Sequence, residues 1–244
     1  MNRWMTIAAA ALLCSAAPFA QAPAAPHELG IKYMRDSEEY AALARQTYRL
    51  ATDAVQRAAQ APGRQQPWAV VLDIDETTLD NSTYELERVT YGLPFEAKSW
   101  NAWVFRHAAG VVPGVVEFVA AVRRAGGRIA WISDRDTATV DATRVNLKSA
   151  GLWNDDDRMC LQDAPERTKS IRRAEVVSGS GACAWAGTAV RAVAFLGDQM
   201  GDFPAAAEHI PDTGTDAAFG RTCFLLPNSM YGQWATRVTR DLSR

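Results

Sequence analysis

The chain has no surplus of basic charge. Its 26 Lys and Arg face 28 Asp and Glu, for a net charge of −2, so nothing points to a nucleic-acid polymer held through its backbone phosphates. It has no internal repeat and no long low-complexity tract, which leaves no basis for a repeat array. Cysteine is sparse: four in all, with only Cys160, Cys183 and Cys223 beyond the N-terminal apolar run. None is followed by Arg at the spacing of a Cys-based phosphate loop. The odd count leaves at least one thiol over even in an oxidising space, and the three read as buried or loop thiols without catalytic duty. No Gly-Lys-Thr loop, Gly-x-Ser-x-Gly elbow or His-Glu-x-x-His pair is present. Ser178-Gly179-Ser180-Gly181 follows a helical pattern and lacks a third glycine, so it is no dinucleotide loop. His107 and His209 read as structural or surface residues.

The apolar run from Trp4 to Ala17 is too short for a comfortable membrane span. With Arg3 before it and the Ala/Pro-rich Pro18 to Pro26 after it, the run has the layout of a secretory signal. Cleavage is expected after Ala20, Ala22 or Ala24, with Pro23 disfavouring the second. Leu12-Leu13 are poor neighbours for a lipid-bearing Cys14, so soluble export to the periplasm or beyond is expected rather than membrane anchoring. The expected organisation is a signal over residues 1–24 and one domain over 25–244. With 244 residues, 48% of them hydrophobic, the chain can bury a full core.

Helical periodicity runs from Asp36 to Ala59 and stops at Pro62-Gly63. Trp68 to Leu72 is a short apolar run of the kind that forms a parallel strand buried on both faces. Asp80 to Gly110 is polar, aromatic and irregular, and reads as an inserted cap. Beyond it strands are predicted at Arg128–Ile132, Arg158–Leu161, Ala192–Leu196 and Thr222–Leu226. Helices are predicted at 113–125, 137–150, 166–177, near 205–209 and over 230–242. Alternation of this kind predicts an α/β fold: a Rossmann-like parallel sheet flanked by helices, with a small cap inserted at about residues 80–110.

Asp73 and Asp75 stand at the end of the first strand. Two carboxylates packed there repel, and a divalent cation relieves the repulsion. Ser133 ends the second strand; Asp198 and Asp202 follow a later one. In a parallel sheet these tips lie side by side, so distant residues can converge on one pocket suited to metal-assisted chemistry on an anion such as phosphate. Taken singly, Asp202 and Ser133 also fit helix caps, and Lys169 a solvated helix position. Asp134, Arg135 and Asp136 read as a charged turn, exposed at Arg135 and Asp136.

In order, Asp73-x-Asp75-x-Thr77, the strand-end Ser133, Lys169 at a helix start, and Gly197-Asp198 with Asp202 resemble the four motifs of the haloacid dehalogenase superfamily of aspartate-dependent phosphohydrolases. Leu79-Asp80-Asn81-Ser82, Trp100-x-x-Trp103-Val104, Val112-Pro113-Gly114 and Leu226-Pro227-Asn228-x-x-Tyr231 resemble its class C nonspecific acid phosphatases, which include lipoprotein-type 5′-nucleotidases. The likeness runs from about Glu28 to Trp234. Asp134 stands where that family commonly has Asn.

The resemblance implies a Mg²⁺-dependent acid phosphatase acting on phosphomonoesters, nucleoside monophosphates among them. Asp73 is then the nucleophile and Asp75 the acid/base. Asp73, the Asp75 carbonyl and Asp198 hold the ion, with Asp202 behind them. Ser133 and Lys169 bind phosphate, and Thr77 fixes the loop. Trp100 or Trp103, with Tyr231, stacks on a base; the same rings also suit the cap's own core. Members of the family are often dimers, although nothing in this sequence marks an interface. Transfer of the phosphoryl group to an alcohol, and a non-catalytic binding or storage role, remain alternatives.

Overall fold

The computed structural model describes residues 26–60 and 66–237. The expected signal, Cys14 and the end of the expected C-terminal helix lie outside the described residues.

Two helices come first. α1 (Pro26–Asp36) and α2 (Glu38–Gln60) meet at Ser37, whose Oγ donates to the Tyr33 carbonyl and accepts from the Tyr40 amide at 3.0 Å. That side chain satisfies one of the amides a helix start leaves unpaired. The strands are β1 (Trp68–Leu72), the two-residue β2 (Leu79–Asp80) and β3 (Gly110–Val111), then β4 (Arg128–Asp136), β5 (Arg158–Gln162), β6 (Arg191–Gly197) and β7 (Cys223–Leu225). Five of them form one parallel sheet in the order β5-β4-β1-β6-β7.

The first strand lies at the centre because its residues are buried on both faces. Val70 and Leu72 point into a core with α2 and α5 (Val115–Arg124); Ala69 and Val71 point into a second core with α7 (Lys169–Ser178). Alternate residues facing opposite layers is the period of a strand. The chain goes from β1 outward through β4 and β5, then crosses to β6 and β7 on the other side. Strand order therefore reverses at β1, and the crevice beyond its carboxyl end is where such sheets hold ligands.

β2 pairs antiparallel with β3, joining the two ends of the inserted segment. Between them lie α3 (Ser82–Thr90) and α4 (Ala97–Phe105), so the segment is helical rather than irregular. Tyr84, Trp103 and Val104 give it a small core shared with Ala142 of α6 (Val140–Ser149). Polar residues between the aromatics hid the helical period. β4 also runs four residues past its predicted end, reaching Asp136. The helix expected near 205–209 is a single 3-10 turn at Ala206–Glu208, and in place of a helix from 230 the described residues hold one at Gln233–Thr236. Cys160, Cys183 and Cys223 are buried and free. His107 and His209 both take positive φ; His107 is exposed and His209 lies at the surface.

Candidate active site

Directly after β1 the backbone turns back on itself. Both Thr78 and Leu79 amides donate to the Ile74 carbonyl at 2.8 Å, and the Glu76 amide donates to the Leu79 carbonyl. Glu76 takes φ +54° to permit the turn, a conformation uncommon for a residue with a side chain. Thr78 Oγ1 donates to the Asp73 carbonyl at 2.7 Å, and Thr77 Oγ1 lies 3.4 Å from Asp73 Oδ2. The Tyr48 hydroxyl, from α2, donates to the Thr77 carbonyl. A rigid loop thus presents both acids at the sheet edge.

Asp73, Asp198 and Asp202 bring ligand atoms within 4.8 Å of one another, and all three are buried. Gly197 makes this approach possible. A Cβ there would come within 2.2 Å of the Asp202 Cβ, far inside contact distance, so only glycine fits at the end of β6. Asp202 Oδ2 is held by the Gln199 amide at 2.9 Å, and Asp198 Oδ2 by Asn228 Nδ2 at 2.8 Å. Lys169, the first residue of α7, reaches Asp73 Oδ1 at 2.7 Å and also contacts Asp202. One ammonium thus bridges two of the three clustered carboxylates.

The electrostatic consequence is direct. Burial, reinforced by Asp202, Asp198 and Asp75 against the opposing Lys169, pushes Asp73 well above the usual carboxylate range. Burial and then Asp202 raise Asp198 to about 7. Burial works against the charged Lys169, but Asp73 and Asp202 hold its ammonium form, and its pKa is raised. Glu76 is fully buried, its Oε2 has no hydrogen-bond partner among the described residues, and burial raises its pKa too. A hard-oxygen cluster with excess negative charge fits a divalent cation: such ions take carboxylate oxygens at about 2.0–2.6 Å, and opposite ligands then stand about 4–5 Å apart.

Asp75 lies beside this cluster, with Ser133 Oγ donating to its Oδ2 at 3.2 Å. Arg135, which the sequence placed in an exposed turn, is buried. Its Nη2 donates to Asp75 Oδ1 at 2.7 Å, and its Nε reaches both oxygens. The extension of β4 past Ile132 carries it inward, because alternate residues of a strand face opposite sides. Asp136 is exposed as expected and caps the turn that follows. Asp134 pairs with Arg172 of α7, whose Nη1 also donates to the Ser133 and Cys160 carbonyls. That buried guanidinium fixes the second motif from behind. Arg172 is a supporting residue that the sequence did not mark, whereas Asn228 and Asn81, which contact Asp198 and Asp75, stood in the resemblance motifs without an assigned role. Arg172 lies three residues after Lys169, the spacing that puts two side chains on one helix face.

A cavity of about 460 Å³ opens over these groups, within the range of small-molecule sites. Asp73, Asp75, Ser133, Lys169 and Asp198 line its floor; Phe95, Trp100 and Tyr231 contribute to its aromatic wall. Trp103 lies elsewhere. It is buried in the cap, with Nε1 donating to Asn81 Oδ1 at 2.9 Å. Phe95 was not singled out in the sequence, where nothing marks it from the cap's other aromatics.

The parallel α/β sheet, aspartate-rich crevice and small cap are of the haloacid dehalogenase type, and the family match makes the chain a phosphomonoester hydrolase. Residues 8–234 match the family described as HAD superfamily, subfamily IIIB (acid phosphatase), and the chain belongs to that family. It is similar to the class C acid phosphatase from Bacillus anthracis, at 31% identity, with 85% of this chain and 86% of that one covered and a TM-score of 0.70. The same enzyme with tungstate bound matches at 30% identity, with the same coverage and TM-score.

Proposed function

We propose that this acid phosphatase is an exported, Mg²⁺-dependent enzyme that hydrolyses phosphomonoesters, nucleoside monophosphates among them, through a phosphoryl group carried on Asp73. The observation that carries this reading is the gathering of Asp73, Asp198 and Asp202 beneath one cavity, with Lys169 among them.

Asp73, held by the loop hydrogen bonds, attacks phosphorus. Ser133 and Lys169 hold phosphate oxygens and offset their charge as it redistributes. Asp75 protonates the departing oxygen, then accepts a proton from the water that cleaves the aspartyl-phosphate. Mg²⁺ would be held by Asp73, Asp198 and the Asp75 carbonyl, with Asp202 supporting them. When bound, the ion supplies the positive charge that lets a buried anionic nucleophile and an anionic ester coexist. The likeness to a relative that holds tungstate, a tetrahedral oxyanion, supports a phosphate-shaped subsite here.

Trp100 and Tyr231 at the cavity wall support stacking on a base, worth about 1–3 kcal/mol and nearly indifferent to base identity. Arg3 and the apolar run after it support export. The test is a panel of nucleoside monophosphates, sugar phosphates and aryl phosphates, assayed at pH 5–6 with Mg²⁺ and with chelator. Nucleotides turned over only with the ion are expected. Turnover unaffected by chelation would reject the metal role, and sugar phosphates outpacing every nucleotide would reject the stacking role.

A further inference from the structure

Asp75 is gripped from two sides by residues that are themselves attached to the cap. On one side Arg135 lays its guanidinium along the carboxylate, with Nη2 at 2.7 Å and Nε at 3.0 Å from Oδ1. The same guanidinium donates through Nη1 to Thr143 Oγ1 of α6 at 3.1 Å and lies 5.6 Å from the centre of the Trp100 ring. On the other side Asn81 Nδ2 donates to Oδ1 at 2.9 Å, while Asn81 Oδ1 accepts from Trp103 Nε1 at 2.9 Å. Arg135, Asn81, Trp103 and Thr143 are all buried.

Trp100 and Trp103 are three residues apart on α4, so they lie on neighbouring positions of one helix face. Each touches one of the two residues that hold Asp75 Oδ1. Oδ1 therefore has three strong donors and serves as the anchor. Oδ2 meets Ser133 Oγ and Arg135 Nε, both at 3.2 Å, and is the oxygen left to exchange a proton. Trp100 also forms part of the cavity wall, with its ring 6.5 Å from that of Phe95.

We propose that Arg135 and Asn81 are positioning residues that tie the Asp75 carboxylate to cap helix α4, so that the cap sets where a proton is delivered to the leaving oxygen. This rests on the acid/base role given to Asp75 above. In the first step the Asp75 Oδ2–H proton passes to the ester oxygen as its bond to phosphorus breaks and the Asp73–phosphorus bond forms. In the second, water attacks phosphorus, the Asp73 oxygen leaves, and the water proton returns to Oδ2. Neither step needs a further reactant.

A misplaced proton donor hurts poor leaving groups more than good ones, since only the former need the proton as they depart. That separates a positioning role from a structural or phosphate-binding one. The assay is kcat/KM on p-nitrophenyl phosphate and on a simple alkyl phosphate, for the wild type and for Arg135→Met, Trp103→Phe and Asp75→Asn. Acid–base catalysis contributes about 10²–10⁴-fold, and a 1 Å misplacement costs on the order of 10²-fold. The aryl-to-alkyl ratio should rise on the order of tenfold in Arg135→Met, about threefold in Trp103→Phe, which removes the indole N–H, and furthest in Asp75→Asn.

An unchanged ratio in both Arg135→Met and Trp103→Phe, beside a raised ratio in Asp75→Asn, would overturn the tie to the cap and leave the acid/base role standing. An unchanged ratio in Asp75→Asn would remove that role and this inference with it. Should Arg135→Met fail to fold, Trp103→Phe decides alone.

Discussion

Metal-free protein should lose stability as the pH rises from 4.5 to 7, the reverse of what most carboxylates produce. Asp198 carries the working. Its folded pKa is raised from an ordinary 3.8 to about 7. A raised pKa means that the folded state favours the protonated form. Its stabilisation is complete below about 3.8 and is lost as pH climbs through 7, because the unfolded chain ionises first. From pH 4.5 to 7 the loss is on the order of 3 kcal/mol, at about 1.4 kcal/mol per pKa unit. For a chain of this size that is roughly 6–12 °C in Tm. Asp73 and Glu76, also raised, add in the same direction. Glu87 and Glu175 are held low by Arg106 and Arg167, and Glu208 is held low by Arg173 against the opposing effect of burial. These three act with the opposite sign, but their stabilisation is lost below about pH 4.5, outside this window. A bound cation needs the deprotonated acids, so Mg²⁺ should raise Tm more at pH 7 than at 4.5, and its apparent affinity should fall about tenfold per unit below 7 through Asp198 alone, more steeply with Asp73. The assay is differential scanning calorimetry of dialysed protein at pH 4.5, 5.5 and 7, with and without Mg²⁺, beside Asp198→Asn. A metal-free Tm that stays flat or rises with pH, or a Mg²⁺ shift no larger at pH 7, would refute the reasoning.

Asp73→Asn should abolish phosphate release while raising the metal-free Tm at pH 7, since one buried charge is gone and Lys169 keeps Asp202; retained turnover would reject the nucleophile. Gly197→Ala forces a methyl into the Asp202 side chain. It should cost about 1–3 kcal/mol and remove most of the Mg²⁺-dependent rise in Tm, whereas an unaltered rise would show that Asp202 plays no part in holding the ion. Tyr231→Ala should reduce kcat/KM for nucleoside monophosphates about 5- to 150-fold, from the stacking range of 1–3 kcal/mol, with a smaller loss on p-nitrophenyl phosphate; equal losses would count against stacking.

Residue order was enough to specify the central strand and what ends it. Trp68–Leu72 is an uninterrupted apolar run, and β1 has those bounds, because a strand buried on both faces must be apolar throughout. Asp73, Lys169, Asp198 and Asp202 were legible because each follows or opens an element, and a parallel sheet sends strand ends to one edge; Ser133 reads as a strand end but lies inside the longer β4. The family resemblance was legible for the same reason: its motifs are those ends. Which neighbours each side chain meets was settled by packing. Arg135 looked exposed because charged runs usually are, yet Asp75 and Trp100 lie close enough to take it inside. Trp100 and Trp103 were equivalent as letters; both pack in the cap core, but only Trp100 also reaches the cavity, while Trp103 is buried. The cap itself read as irregular because its helices are short and share their apolar faces with α6, leaving too few turns for a period to emerge. Order along a chain specifies which groups reach a sheet edge, whereas partnership across space depends on contact between segments far apart in sequence.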